Sequence, residues 1–372
     1  MSSEERTKRS VYMEWAKLHS HARFNLATSG LISVPISEFP VQASDLELTA
    51  PGAYGYPALQ QRMAQHNGVA EECVVAAAGT SMANHLAMAA VLNLGDEVLV
   101  EQPVYGPLLD VVEYLGGRVK RLPRRFEAGF ALDPGEVAQA LSRETRLIVL
   151  SNLHNPSGAL MTADTLRRIG EMALRAGAYV LVDEVYLEMS FDRAAPYSFA
   201  IGGEIAPAEE NPFIVTNSLT KVYGFSGLRC GWILAAAPLA QRMWLLNDLY
   251  GANAAHPAER LSILAFDRLA QFRERTRQLL TANRAVLDAF LDSRADLECF
   301  RPPAGTVVFP RLKRGDPDAF FYLLREKYET SVVPGSFFEM PQHFRIGIGG
   351  ETAPLKAGLE RLSSALDEFG AH

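Results

Sequence analysis

Several ingredients are scarce in this 372-residue chain, and each scarcity removes a class of protein. It has three cysteines, Cys73, Cys230 and Cys299, odd in number and far apart. That makes neither a disulfide framework nor a metal-ligand set, and it fits a reducing compartment, so a cytoplasmic location is expected and no metal. Basic residues are outnumbered: 36 Lys and Arg against 43 Asp and Glu leave a net charge of −7. Nucleic acid and anionic membrane both select a positive footprint, so neither is expected as a partner. No apolar run is long enough to span a bilayer. The first 17 residues are polar and mixed in charge, unlike a secretory signal. The first strand–helix turn lacks G-x-G-x-x-G, which argues against a nicotinamide dehydrogenase, and no internal repeat or low-complexity tract is present.

What is present is an ordinary globular composition, 48% hydrophobic and 21% charged, in a chain long enough for a large domain and a smaller one. Short apolar runs at 73–78, 97–100, 118–122, 146–153, 179–185, 213–216 and 231–235 read as strands. Amphipathic stretches at 82–92, 108–114, 134–141 and 162–176 read as helices between them. Such alternation predicts an α/β domain whose mostly parallel sheet is flanked by helices. After Pro238 the pattern changes. Helices are expected at 239–249 and along a periodic stretch from 257 to 291, then strands at 305–311, 331–333 and 344–347 with helices at 317–328 and 353–369. The expected division is an N-terminal segment 1–45, a large domain 46–240 and a small α+β domain 241–372, with loop signals at Thr49-Ala50-Pro51-Gly52.

The most informative stretch is Asn217-Ser218-Leu219-Thr220-Lys221-Val222-Tyr223-Gly224-Phe225-Ser226-Gly227-Leu228-Arg229-Cys230-Gly231. It puts one lysine on a loop between two apolar strands, where an ammonium group must find a partner or lose its charge. A lysine that sheds its proton traps carbonyls, which is how pyridoxal phosphate (PLP) is held as a Schiff base. Ser218 and Arg229 offer a hydroxyl and a guanidinium fork, suited to a phosphate.

Four more motifs stand at expected strand ends. Ala78-Gly79-Thr80-Ser81-Met82-Ala83 opens a helix, and its free N–H groups and hydroxyls suit either a phosphate or an ordinary cap. In Ser151-Asn152-Leu153-His154-Asn155-Pro156-Ser157-Gly158, Asn155 either donates to a cofactor's phenolic oxygen or merely starts an Asn-Pro turn. Tyr179-Val180-Leu181-Val182-Asp183-Glu184-Val185-Tyr186 ends a buried strand on a carboxylate, costly unless Asp183 faces something such as a pyridine nitrogen. In Glu101-Gln102-Pro103-Val104-Tyr105, the tyrosine either stacks on a planar heterocycle or packs in the core. None decides alone. Together they sit at carboxyl ends of strands, the edge where open α/β sheets bind ligands.

With these residues the chain resembles the fold-type I PLP enzymes, specifically the class I/II aminotransferases of the aspartate aminotransferase superfamily. The resemblance spans nearly the whole chain and implies the corresponding two-domain fold and a homodimer with active sites at the subunit interface. It implies that Lys221 carries the cofactor and moves the proton. Thr80, Ser81, Ser218 and Arg229 match the phosphate ligands, Tyr105 the ring-stacking aromatic, and Asp183, Asn155 and Tyr186 the residues that tune the ring. Arg345, in Phe344-Arg345-Ile346-Gly347, matches the clamp on the substrate's α-carboxylate, and Gly30, in Asn25-Leu26-Ala27-Thr28-Ser29-Gly30-Leu31, the arm that closes over it.

The implied reaction moves an amino group from an L-amino acid to a 2-oxo acid. The dicarboxylate-specific members' second arginine is missing from Asn247-Asp248-Leu249-Tyr250-Gly251-Ala252-Asn253-Ala254-Ala255-His256, with Arg23 a remaining alternative source. This, and the apolar Leu31, Ile32 and Val34, point to a neutral or hydrophobic donor. Whether Tyr54 or Tyr56 reaches the neighbouring subunit's phosphate stays open. So do elimination or cyclising chemistry on the same fold, and, more distantly, a PLP-sensing regulator, although no DNA-binding segment precedes the sheet. Tyr105 stands where acyl-transferring relatives place a histidine, and the histidine and mobile cysteine of desulfurases are not visible.

Overall fold

The computed structural model describes residues 6–50, 52–191 and 194–370; Pro51 of the expected loop, and the extreme ends of the first and last expected segments, lie outside the described residues. Helix α1 (Val11–Leu18) comes first, its N-terminus capped by Ser10, whose hydroxyl accepts from the Met13 amide at 3.3 Å. Strand β1 (Phe24–Asn25) and helix α2 (Pro57–Asn67) follow. Strands and helices then alternate: β2 (Val74–Ala78), α3 (Gly79–Val91), β3 (Glu97–Gln102), α4 (Gly106–Leu115), β4 (Arg118–Pro123), α5 (Pro134–Ala140), β5 (Thr145–Ser151), α6 (Ala163–Ala176), β6 (Tyr179–Asp183), α7 (Ser198–Ile205), β7 (Phe213–Ser218) and β8 (Cys230–Leu234). The last seven strands form one sheet in the order β2-β8-β7-β6-β5-β3-β4.

This sheet is parallel except at β8, which runs antiparallel to both β2 and β7. Its inner strands are largely apolar because both faces are covered, whereas edge strand β4 carries Arg118, Lys120 and Arg121, and strand periodicity sorts the side chains. Val98, Val100, Leu147, Val149, Leu181 and Ile214 pack on one face with Leu86 of α3. Leu99, Ile148, Leu150, Val180, Val182 and Phe213 pack on the other with Leu166 and Ile169 of α6.

Beyond the sheet come α8 (Ala237–Asn247), α9 (His256–Phe266) and α10 (Leu269–Asp292). The single periodic stretch expected over 257–291 is thus two helices. Asp267 gives its carboxylate to Arg62 at 2.7 Å, and Arg268 leaves helical geometry at φ −130° and ψ 14°. Strands β9 (Leu297–Glu298), β10 (Val307–Val308) and β11 (Arg311–Leu312) follow, so the strand expected over 305–311 is interrupted, at Pro310, which has no N–H to donate. Helix α11 (Pro317–Glu326), β12 (Thr330–Ser331), β13 (Val333–Pro334), β14 (Phe344–Gly347) and α12 (Thr352–Gly370) complete the chain. Strand β14 lies between β10 and β13, and β1 joins β12 in parallel, so the N-terminal arm is built into the C-terminal part.

A fully buried ion pair lies under the carboxyl edge of the large sheet. Glu101 of β3 meets Arg124 at 2.7 Å; Ser151 donates to Glu101 at 2.6 Å, and Arg124 Nε donates to the Phe130 carbonyl at 2.6 Å. Burial opposes both charges, and each stabilises the other. Arg124→Met leaves Glu101 buried without its counter-ion, and a loss of about 3–5 kcal/mol is expected in denaturant unfolding. The double change Glu101→Leu with Arg124→Met should lose much less; an equal or larger loss would mean that packing, not charge, is what the pair provides.

Candidate active site

The carboxyl edge of the sheet opens into a cavity of about 640 Å³. Strands β5, β6 and β7 deliver Ser151, Asp183 and Ser218 to it: Ser151 lies opposite Asp183, and Asp183 opposite Thr216, two residues before Ser218. Because β8 is reversed, the residue before it, Arg229, arrives at the same edge.

At one end the donors cluster without an acid. Thr80 donates to Ser218 Oγ at 2.8 Å, and the Thr220 amide approaches the same oxygen at 3.3 Å. Helix α3 has no side-chain cap, which leaves the N–H groups of its first turn free of one, and Thr80 and Ser81 of that turn line the cavity. Arg229, in left-handed geometry at φ 50°, donates to the Ala78 carbonyl at 3.0 Å and has no carboxylate partner among the described residues. Its approach needs glycine opposite: a Cβ on Gly79 (φ 77°) would lie 2.4 Å from Arg229 Nη2. A Cβ on Gly231 would in turn lie 2.5 Å from the Gly79 carbonyl carbon. Hydroxyls, helix N–H groups and an unpaired guanidinium form a donor set that fits a phosphate.

In the middle stands Asp183, 6% exposed. It accepts from Asn84 Nδ2 at 2.9 Å and from the Val185 amide at 3.1 Å. Thr216 donates to Asn84 Oδ1 at 2.6 Å and so fixes which end of that amide faces the carboxylate. Burial raises the Asp183 carboxyl from 3.8 to about 6; the Asn84 and Val185 bonds and the charge of Lys221 pull the other way without cancelling it. Such a carboxylate suits a protonated ring nitrogen. Tyr105 forms a further wall, its phenol 3.4 Å from Met13 Sδ and kept protonated by burial.

Lys221 points Nζ at Ser29 Oγ, 3.2 Å away, and Tyr186 donates to the same oxygen at 2.9 Å. Asn155 has its amide N–H tied to Ser151 Oγ at 3.1 Å, while its Oδ1 accepts from Arg345 Nη1 at 2.9 Å. Arg345 itself is 1% exposed and stands one layer behind the lining, with Nη2 on the Tyr12 hydroxyl at 2.9 Å and the Ala27 carbonyl at 3.2 Å. Gly30 is also set back; a Cβ there would lie 4.0 Å from Lys221 Nζ.

Thr80, Ser81, Tyr105, Asn155, Asp183, Tyr186, Ser218, Lys221 and Arg229 therefore share one cavity, Arg345 backs its wall, and Gly30, although near Lys221, lines a neighbouring groove. Other expectations fall elsewhere. Leu31 and Ile32 line a separate groove against Gly347 and Gly349. Arg23 pairs with Glu329 at 3.2 Å. Tyr54 is exposed and donates to Asp248 at 3.0 Å, and Tyr56 packs edge-on against His256 at 4.7 Å; neither lines the cavity. Tyr12, Met13, Trp15, Lys17, Ser29 and Asn84 do line it and were not anticipated. Asn84 carries a legible signal, a lone amide within the apolar run of α3. Helix α1 carries one in Ser10, a cap residue before an apolar stripe.

A model of the family "Aminotransferase class I and II" matches residues 38–362 of the chain. Arginine–pyruvate transaminase AruH of Pseudomonas aeruginosa is 29% identical over 336 residues, covering 85% of this chain and 81% of that protein. Capreomycidine synthase of Streptomyces vinaceus is 28% identical over 297 residues, covering 79% and 74%. The crystal structure of a PLP-dependent aminotransferase from Streptococcus suis superposes with a TM-score of 0.89 at 27% identity, covering 97% of this chain and 98% of that one.

A carboxyl that titrates higher folded than unfolded holds its proton more tightly when folded. The stabilising contribution of Asp183 is thus fully present below about 3.8 and lost as pH rises through about 6. Over that window the cofactor-free protein is expected to lose up to about 3 kcal/mol relative to Asp183→Asn. Unfolding curves recorded between about pH 4 and pH 7 read this directly; a constant difference between the two proteins would refute it.

Proposed function

The chain belongs to the class I and II aminotransferases and is a PLP-dependent transferase, and from that premise we propose how its own residues divide the work. Thr80, Ser81, Ser218, Arg229 and the first turn of α3 hold the phosphate. Asp183 would hold a proton at the pyridine nitrogen, Tyr105 would cover a ring face, and Asn155 would donate to the phenolic oxygen, joined by Tyr186 once its O–H turns away from Ser29 Oγ. When bound, the cofactor serves as the electron sink that lets the amino acid's α-carbon release its proton. Lys221 Nζ holds the cofactor at rest and is the base that takes that proton. Ser29 Oγ, shared by Lys221 and Tyr186, keeps the amine aimed. Arg345, with Asn155 and the Gly30 N–H, fixes the α-carboxylate.

The observation that carries this reading is the meeting of Lys221, Asp183 and the acid-free donor cluster in one cavity. The donor is read as a neutral or hydrophobic L-amino acid and the acceptor as a 2-oxo acid. Support comes from α1 rather than from Leu31 and Ile32: Tyr12, Met13 and Trp15, with Leu108 of α4, make the rest of the wall largely apolar, with Lys17 the added charge. The partition of strands supports dividing the chain near residues 45 and 240. A homodimer is proposed too, from the large apolar side chains that Tyr54, Leu245, Leu249 and Tyr250 expose on and around α8. Work in the cytoplasm accords with three free cysteines.

The test is the visible spectrum of the cofactor-loaded protein as single amino acids are added, with products identified by mass. A neutral or hydrophobic donor is expected to shift the cofactor band and to yield an equal amount of its 2-oxo acid. Lys221→Ala should slow that single turnover by at least about 10²–10⁴-fold. Preference for aspartate would overturn the substrate reading, and release of ammonia or a cyclised product would overturn transfer itself.

A further inference from the structure

We propose that Tyr12 is a second anchor for the substrate's α-carboxylate, beside Arg345, and that carboxylate binding through it seats α1 as the wall that reads the substrate's side chain. The proposal rests on the reading above only in taking an α-carboxylate as the ligand.

Arg345 has an unusual set of partners for a buried cation. Its two Nη atoms meet three neutral oxygens, on Asn155, Tyr12 and Ala27; its Nε has no partner, and no carboxylate lies within 4.0 Å among the described residues. An ion buried this way awaits an opposite charge. The three oxygens belong to residues that line the cavity, so an arriving carboxylate meets those residues first. The Ala27 carbonyl can only accept. Tyr12 accepts from Arg345, and its own O–H donates to no described residue. A phenol polarised by a guanidinium and still holding a free proton is a strong donor to a carboxylate.

The Tyr12 side chain is held for that task. It is 8% exposed and boxed edge-on by Tyr105 at 5.5 Å and Phe337 at 5.8 Å, with Phe338 tilted against it at 5.8 Å. A Cβ on Gly106 would lie 3.4 Å from Tyr12 Cβ, so α4 is also close. Tyr12 is the second residue of α1, and Met13, Trp15, Ala16 and Lys17 of the same helix line the cavity. One hydroxyl therefore joins carboxylate recognition to the position of the side-chain wall.

The test uses the cofactor-loaded protein and Tyr12→Phe, which keeps the ring and removes only the hydroxyl. Each is titrated with L-leucine and L-phenylalanine and with the corresponding amines that lack the carboxylate, 3-methylbutylamine and 2-phenylethylamine. For the amino acids the half-saturating concentration is expected to rise about 10–100-fold, more than the limiting rate falls. The amines should not distinguish the two proteins. Independently of turnover, 3-phenylpropionate, which has no amine to react, should slow amide hydrogen exchange across residues 11–18 in the wild type and not in Tyr12→Phe. Unchanged or tighter amino-acid binding in the variant, equal weakening of the amines, or identical exchange responses would each overturn the proposal. A protein that shows the carboxylate discrimination yet releases no 2-oxo acid would overturn transfer and leave this role for Tyr12 standing.

Discussion

The carboxylate of Asp183 is the group around which the rest is arranged. It ends a strand buried on both faces, where an ion is costly unless neighbours solvate it. Solvation comes from α3 through Asn84, and Asn84 is turned the right way by Thr216 of the adjacent strand. Three elements must therefore close together before the charge is tolerable, and even then burial leaves it poorly compensated. The shortfall faces the cavity. A positive nitrogen placed there would offset that cost.

Other buried charges are treated differently. Glu101 has Arg124 and Ser151, and through Ser151 it supports the backbone of Asn155. Glu188, on the turn after Tyr186, receives His66 at 2.9 Å, Asn217 at 3.3 Å and the Tyr223 hydroxyl, which ties the Tyr186 and Lys221 loops together from behind. These pairs are closed. Buried Asp183 and Arg345 and exposed Arg229 have no opposite charge in salt-bridge contact among the described residues and face or back the one cavity, whereas buried Glu184, also without a cation, is closed by the hydroxyl and amide of Ser198. The division separates ions that hold the scaffold from ions that wait for a ligand.

Much of this is legible in the amino-acid sequence. Both-face burial makes parallel strands read as continuous apolar runs, and polar residues breaking in at their carboxyl ends, Ser151, Asp183 and Ser218, stand out against them. Legibility failed where the deciding contact is remote in sequence. Ser29 matters because Tyr186 and Lys221 come to it, and Tyr12 because Arg345 does, some 333 residues away. No local pattern encodes such meetings. The break at Asp267–Arg268 was lost for a similar reason, since helical periodicity continues across it and the salt bridge to Arg62 comes from another element. Leu31 and Ile32 misled because apolar character says that a residue is covered, not by what.

The reversed strand β8 has a consequence for how the chain matures. Strand β2 is the first of the large sheet to be synthesised, and in the finished sheet only β8, the last, joins it to the rest. Until β8 is available, β2 has no strand to pair with in this sheet, and the Gly79–Arg229–Gly231 contact cannot exist. The high sequence separation of that pairing makes it a late event on topological grounds. The cluster of Thr80, Ser218 and Arg229 at the sheet's carboxyl edge is therefore complete only when the last strand of the sheet is in place.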